Sequence, residues 1–174
     1  MTVIYRDANA ADAAALMELF AESFVETFGH LYRKQDLDAF LEGNSLAKWQ
    51  ANLSDPEVLI RVAEMDGRLA GFIELAPKKL PYEATAPALE LRRLYLRSTA
   101  HGLGIADELM HWLLAQAVRR GAQELVLSVF VDNHRARRFY ERYGFETVGK
   151  YNFMVGSQAD EDLILRHIIM KAPA

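Results

Sequence analysis

The chain has 174 residues, 51% hydrophobic and 25% charged, a mixture that excludes a disordered chain and predicts a single domain over residues 1–174. It has no cysteine, which excludes a disulfide scaffold, a thiolate metal site and a cysteine nucleophile. A net charge of −4 argues against a nucleic-acid partner; no apolar run nears the roughly 20 residues of a membrane span, and residues 1–7 lack a secretory pattern, so we expect a cytoplasmic protein without a membrane partner.

Residues 3–6 read as a short strand. A helix is predicted over 9–28, with Asn9 as its cap, Asp12 adding negative charge to the first turn, and Gly29 in the place of a terminating C′ glycine. Leu16, Phe20, Phe24 and Phe28 recur at every fourth position and form one apolar stripe. Two shorter helices follow: 35–42, burying Leu37, Phe40 and Leu41, and 45–53, burying Leu46, Trp49 and Leu53 and stopping before Asp55-Pro56. Strands are predicted over 58–65 and 68–76, joined by Asp66-Gly67, a pair suited to a two-residue hairpin in which both residues need φ > 0. Residues 77–87 hold three prolines and read as a loop, and 89–96 as a strand. A long amphipathic helix is expected over 102–120, closed by Gly121, then an almost wholly apolar strand over 125–131, covered on both faces. A helix over 134–142 ends at Gly144, and strands over 145–155 and 162–170 close the chain around a turn at 156–160. The unit 89–96, 102–120, 125–131 is long enough for a right-handed parallel crossover, so the fold class is α/β with a mixed sheet.

The strand ending at Leu96 runs into His101-Gly102-Leu103-Gly104-Ile105-Ala106 at a helix start. N–H groups there lack intrahelical partners, the helix dipole adds positive charge, and glycines let an anion approach closely. Such a segment suits a phosphate or pyrophosphate. It reads equally as a tight turn with no ligand. The Gly-Lys-Ser/Thr ending of nucleotide hydrolases is absent, and the spacing fails the dinucleotide fingerprint.

A second segment carries Asn133, Ala136, Phe139, Tyr140, Gly144 and Phe145 in an Asn-x-x-Ala-x-x-Phe-Tyr-x-x-x-Gly-Phe pattern. Together the two segments resemble the GCN5-related N-acetyltransferase (GNAT) superfamily, whose cofactor loop reads Gln/Arg-x-x-Gly-x-Gly/Ala; His101 stands where the family has Gln or Arg. The resemblance covers essentially the whole chain. It implies a mixed sheet built from the seven strands above, with a splayed central parallel pair and helices on both faces. It implies acetyl-CoA as cosubstrate and transfer of the acetyl group to a primary amine by direct attack through a tetrahedral intermediate.

By the same resemblance, His101, Gly102, Leu103, Gly104, Ile105 and Ala106 hold the pyrophosphate, and the pantetheine arm runs along Leu94, Tyr95 and Leu96. Asn133 bonds the arm or its sulfur end, and Arg137, with Arg135 and Arg138, is a candidate for the 3′-phosphate. Tyr140 protonates the leaving thiolate, and a strand N–H near Leu96 receives the oxyanion. Glu90 is the candidate general base, its competing reading being a surface carboxylate paired with an arginine. Strand parity groups Glu90 with Arg92, Leu94 and Leu96 unless a bulge intervenes. Glu22 and Glu26 lie off the phenylalanine stripe and read as exposed. His30, His111, His134 and His167 have no ligand spacing, so no metal is assigned. Residues 24–32 and 90–95 resemble the bacterial polyamine (spermidine/spermine) N-acetyltransferase-like branch, implying a small-molecule amine partner. A protein N-terminus or lysine as acceptor, or a non-catalytic acyl-CoA-binding domain, are the alternatives. Dimers are frequent for this fold, which leaves a homodimer open.

Overall fold

The two-residue turn Asp66-Gly67 takes φ values of +51° and +76°, as a tight hairpin demands, and it fixes the register of the strands it joins. A computed structural model describes residues 2–169. In chain order its elements are β1 (Val3–Asp7), α1 (Ala13–Phe28), α2 (Lys34–Gly43), α3 (Leu46–Ser54), β2 (Leu59–Met65), β3 (Arg68–Pro77), β4 (Ala88–Leu96), α4 (Ile105–Arg119), β5 (Glu124–Phe130), α5 (His134–Arg142), β6 (Glu146–Val155) and β7 (Gln158–Ile168). The strands form one seven-stranded sheet in the order β1-β2-β3-β4-β5-β7-β6, antiparallel except for β4 and β5. This is the mixed α/β sheet expected from the sequence.

Local chemistry explains the ends that differ. Asn9 does cap the first helical stretch: its side chain accepts from Ala11 N at 2.9 Å while Asp12 accepts from Asn9 N at 2.8 Å. A 3₁₀ turn over Ala10–Asp12 precedes α1. Gly29 is not a left-handed terminator. Its φ is −55°, its N–H still bonds Val25 O, and the chain runs on into a 3₁₀ turn. A Cβ there would lie 3.2 Å from Val25 Cγ1, a tight contact that Val25 would have to yield slightly to admit. Helix α4 starts at Ile105, not at 102, because Gly102 and Gly104 hold φ of +77° and +78°, outside any right-handed helix. The closing turn is shorter than expected. β7 begins at Gln158, so Asp160 is a strand residue; Met170, the expected end of that strand, lies outside the described residues.

Two apolar cores sit on opposite faces of the sheet. Ile105, Leu109, Met110 and Leu113 of α4, none exposed, meet Ile73, Leu91, Leu125 and Leu127 on one face. On the other, Leu16, Phe20 and Phe24 of α1 and Trp49 of α3 meet Ile60, Val62 and Phe72. Burying each such side chain stabilises the fold by roughly 1.5–3 kcal/mol before conformational entropy is counted.

The centre of the sheet is irregular in two ways. Pairing of β3 with β4 jumps from Glu74↔Arg93 to Leu75↔Leu91, leaving Arg92 as an extra, bulged residue. The bulge reverses strand parity, so Leu89, Leu91, Leu94 and Leu96 share the α4 core, and the expected grouping of Glu90 with Leu94 and Leu96 does not occur. The second irregularity is the parallel pair itself. β4 and β5 are matched only at Ala88↔Glu124, Leu89↔Leu125 and Glu90↔Val126. Beyond Glu90 the strands part, while β5 stays paired with β7 as far as Phe130↔Asp162.

Candidate active site

The parting strands open a cavity of about 680 Å³. Leu94, Tyr95 and Leu96 line one wall with the β5-facing edge of β4, whose other edge stays bonded to Ile73, Phe72 and Gly71 of β3. Val129 and Phe130 line the opposite wall. An extended polar chain laid in this gap would find unpaired main-chain groups on both sides.

The glycine loop closes one end. Among the described residues, no N–H group from Gly102 to Ala106 donates a hydrogen bond within the protein. Gly104 is the left-handed N-cap of α4 and supplies no side chain to cap it. A Cβ at Gly102 or Gly104 would meet nothing within 4 Å, so these positions are glycine for their backbone conformation and for the open space beyond. Bare amides at a fifteen-residue helix's N-terminus make a strong anion cradle.

His101 lines the cavity but is turned to another task. Its Nδ1 lies 2.8 Å from Arg135 Nη1; arginine can only donate, so Nδ1 accepts. Burial, with Arg135 second, holds the imidazole below the usual histidine range, which keeps it neutral near pH 7. His101 thus holds the Arg135 guanidinium beside the cavity. Arg135 and Arg142 line the cavity, whereas Arg137 does not; its Nη1 donates to Val131 O at 2.8 Å. Asn133 caps α5 through an oxygen that accepts from Ala136 N at 3.3 Å, leaving its NH₂ group available to the cavity.

Tyr140 projects from α5 into the same space, 7% exposed, with its ring edge-on to Phe139 and Phe145. Gly144, at φ +82°, ends α5 and lets Phe145 N bond Tyr140 O at 3.2 Å, which fixes the base of the ring. The hydroxyl has no hydrogen-bond partner among the described residues. Burial first, and the Tyr95 hydroxyl second, push it above the ordinary phenol range. It is a protonated donor aimed into the gap where β4 and β5 part.

Glu90 is elsewhere. It does not line the cavity, and its Oε2 accepts from Lys79 N at 2.7 Å and Leu80 N at 3.1 Å, pinning the loop after β3. Glu22 and Glu26 are exposed, and Glu22 pairs with Arg68 and Arg97.

The α1 side of the cavity holds residues that sequence reasoning did not single out. Phe130 and Phe153 join Phe24, Phe28, Tyr32 and Tyr95 as an aromatic wall, and Asp160 and Asp162 of β7 stand at its edge. Tyr32 donates a short hydrogen bond to Asp160. The strand alternation Asp160, Asp162, Ile164, with two acids on the face that should be apolar, was the available signal. Among the described residues, no group of three or more His, Cys, Asp or Glu is placed to hold a metal ion.

Residues 13–145 match the model of the acetyltransferase (GNAT) family. An uncharacterized N-acetyltransferase of Mycobacterium tuberculosis is 32% identical over 155 residues, 88% of this chain and 96% of that protein. The aminoalkylphosphonate N-acetyltransferase of Salmonella typhimurium is 30% identical over 116 residues, 67% of this chain and 71% of that one. Among solved structures, PaiA N-acetyltransferase of Thermoplasma acidophilum, in complex with coenzyme A, superposes with a TM-score of 0.76 at 24% identity, covering 97% of this chain and 99% of the other. With bare amides before α4, a parted β4–β5 pair and Tyr140 facing the gap, the chain belongs to the GNAT family of N-acetyltransferases.

Proposed function

We propose that the protein transfers the acetyl group of acetyl-CoA to the primary amine of a small cationic molecule. The observation that carries this reading is the adjacency of two unsatisfied surfaces: the free N–H groups of Gly102 to Ala106 and the unpaired edge of β4 from Leu91 to Leu96. The first suits a pyrophosphate, the second an amide-bearing arm, and acetyl-CoA carries both, supplying a thioester as acyl donor. Residues 102–106 would hold the pyrophosphate, with Arg135 and Arg142 adding positive charge at the rim. Leu94 to Leu96 would bond the arm, Asn133 would offer its NH₂ group, and Tyr140 would give a proton to the departing sulfur.

The aromatic wall and the two aspartates favour a cation as acceptor: ring faces attract ammonium groups, and neither carboxylate has a basic partner among the described residues. An alkylammonium of one or more charges fits, and a polyamine such as spermidine is the specific member we favour. The test is thiol release from acetyl-CoA with a panel of spermidine, benzylamine, 2-aminoethylphosphonate and a lysine-containing peptide. Preference for spermidine or benzylamine supports the reading, and preference for 2-aminoethylphosphonate, an anion overall, counts against a cationic acceptor. Preference for the peptide, or no release with any amine, counts against it.

A further inference from the structure

We infer that Asp162 is the base that takes a proton from the acceptor's ammonium group, while Asp160, held by Tyr32, fixes the cation beside it. The inference rests on the acetyl-transfer reading above and extends it to a residue on β7.

An alkylammonium has a pKa near ~10, so at neutral pH the bound amine is protonated and cannot attack. A carboxylate within reach can remove that proton. Glu90 is committed to the Lys79 and Leu80 amides outside the cavity. Asp162 is 6% exposed and lines the same cavity as Tyr140. It forms no ion pair among the described residues, an unusual state for so buried a carboxylate. Its position follows from the sheet: opposite Phe130 at the end of β5, on the α1 face, where that strand has left β4.

The groups around Asp162 are few and mostly acidic or neutral. Asp160 shares its strand and face, Ser128 offers a hydroxyl from β5, and Tyr151 stands opposite on β6. Tyr32 follows α1, and Tyr95 reaches in from β4. Arg92 and Arg93, the cations on that wall, both pair with Glu74, at 3.7 and 3.1 Å, and Arg93 lies 4.6 Å over the Trp49 ring. Burial first, and Asp160 last, push the Asp162 carboxyl up to about 7, with the Ser128 hydroxyl opposing. That suits a base working near neutrality. Tyr32 and Gln158 both donate hydrogen bonds to Asp160.

The proton inventory closes. One N–H bond of the ammonium breaks toward Asp162, leaving a neutral amine and a carboxylic acid. The amine lone pair forms the C–N bond, the C–S bond breaks with its electrons going to sulfur, and sulfur takes the Tyr140 proton. The second amine proton restores Tyr140, and Asp162 returns its own to water. The sum is one amide, one thiol and one proton from ammonium and thioester.

The test compares wild type with Asp162→Asn and Asp162→Glu, using whichever amine of the panel wild type acetylates fastest. Expected for wild type is a kcat/KM that rises to a plateau through pH ~7 and falls only near the amine's own pKa, since the ammonium is the productive form. Asp162→Asn should lose about 10²–10⁴-fold in kcat at pH 7.5. Its rate should climb steadily toward the amine's pKa, because only free amine can react, and Asp162→Glu should restore part of the plateau. Calorimetry should give the same acetyl-CoA affinity for all three proteins. A second readout needs no turnover. Asp162's folded pKa lies above its unfolded value, so wild type loses stability relative to Asp162→Asn as pH rises from about 4 to about 7. The melting temperature of Asp162→Asn should exceed wild type by a margin that grows over that window and is level above it. An unchanged rate profile in Asp162→Asn overturns the inference and leaves the acetyl-transfer reading intact. No thiol release by wild type, with acetyl-CoA bound, overturns both.

Discussion

Replacing Tyr140 with phenylalanine removes one oxygen from a buried ring and nothing else. The ring keeps its contacts with Phe139 and Phe145, and the lost hydroxyl has no partner among the described residues. No hydrogen bond is broken in the resting protein and no cavity opens in the core, so stability should change by no more than about 0.5 kcal/mol. The catalytic effect should be far larger. A positioned proton donor contributes about 10²–10⁴-fold to a rate. That corresponds to about 2.7–5.4 kcal/mol of barrier at 1.36 kcal/mol per factor of ten. Stability and turnover should therefore separate cleanly in this variant. Thiol release gives kcat, calorimetry gives acetyl-CoA affinity, and thermal unfolding gives stability. We expect a fall in kcat of at least about a hundredfold with the other two unchanged. A kcat within twofold of wild type would remove Tyr140 from the proton path. A large fall in melting temperature would show instead that its hydroxyl holds the core.

Two further substitutions test how the site is built. Glu90→Ala leaves the buried Leu80 N–H without its acceptor and should cost about 1–3 kcal/mol in denaturant unfolding. Its turnover at temperatures well below melting should fall by much less than that of Tyr140→Phe; an equal fall would return Glu90 to the mechanism. Gly156→Ala places a Cβ 2.7 Å from Asp36 Cα at a position with φ +56°, so the β6–β7 turn must pull away from α2. We expect weaker apparent binding of the amine with unaltered acetyl-CoA affinity, measured as KM against calorimetric Kd; an unchanged KM would show that this turn does not support the acceptor wall.

Most of the sheet was legible because its strands announce themselves locally. Asp66-Gly67 needs two left-handed residues and finds them, and the apolar β5 is indeed covered on both faces. The two sequence segments at 101–106 and 133–145 do meet across one cavity. What the sequence hid is what depends on the third dimension. The bulge at Arg92 leaves no composition mark, yet it separates Glu90, whose carboxylate holds the Lys79 and Leu80 amides, from Leu94 and Leu96, which turn to the α4 core. The turn expected over 156–160 takes in Asp160, which hides its strand alternation with Asp162. His101 and Arg137 carry the right chemistry, but contacts with Arg135 and with Val131 O decide where they point.

On the function proposed above, the bare amides before α4 hold the diphosphate of acetyl-CoA. Titration calorimetry of acetyl-CoA into wild type and Gly104→Trp addresses it directly. A Cβ at Gly104 meets no protein atom within 4 Å, and a left-handed non-glycine residue costs about 1–2 kcal/mol, which circular dichroism would show the fold to withstand. We predict one-to-one binding by wild type and a weakening of about a hundredfold or more in the folded variant, since the indole would occupy the space an anion needs. Equal affinity in the two proteins would show that the diphosphate binds elsewhere.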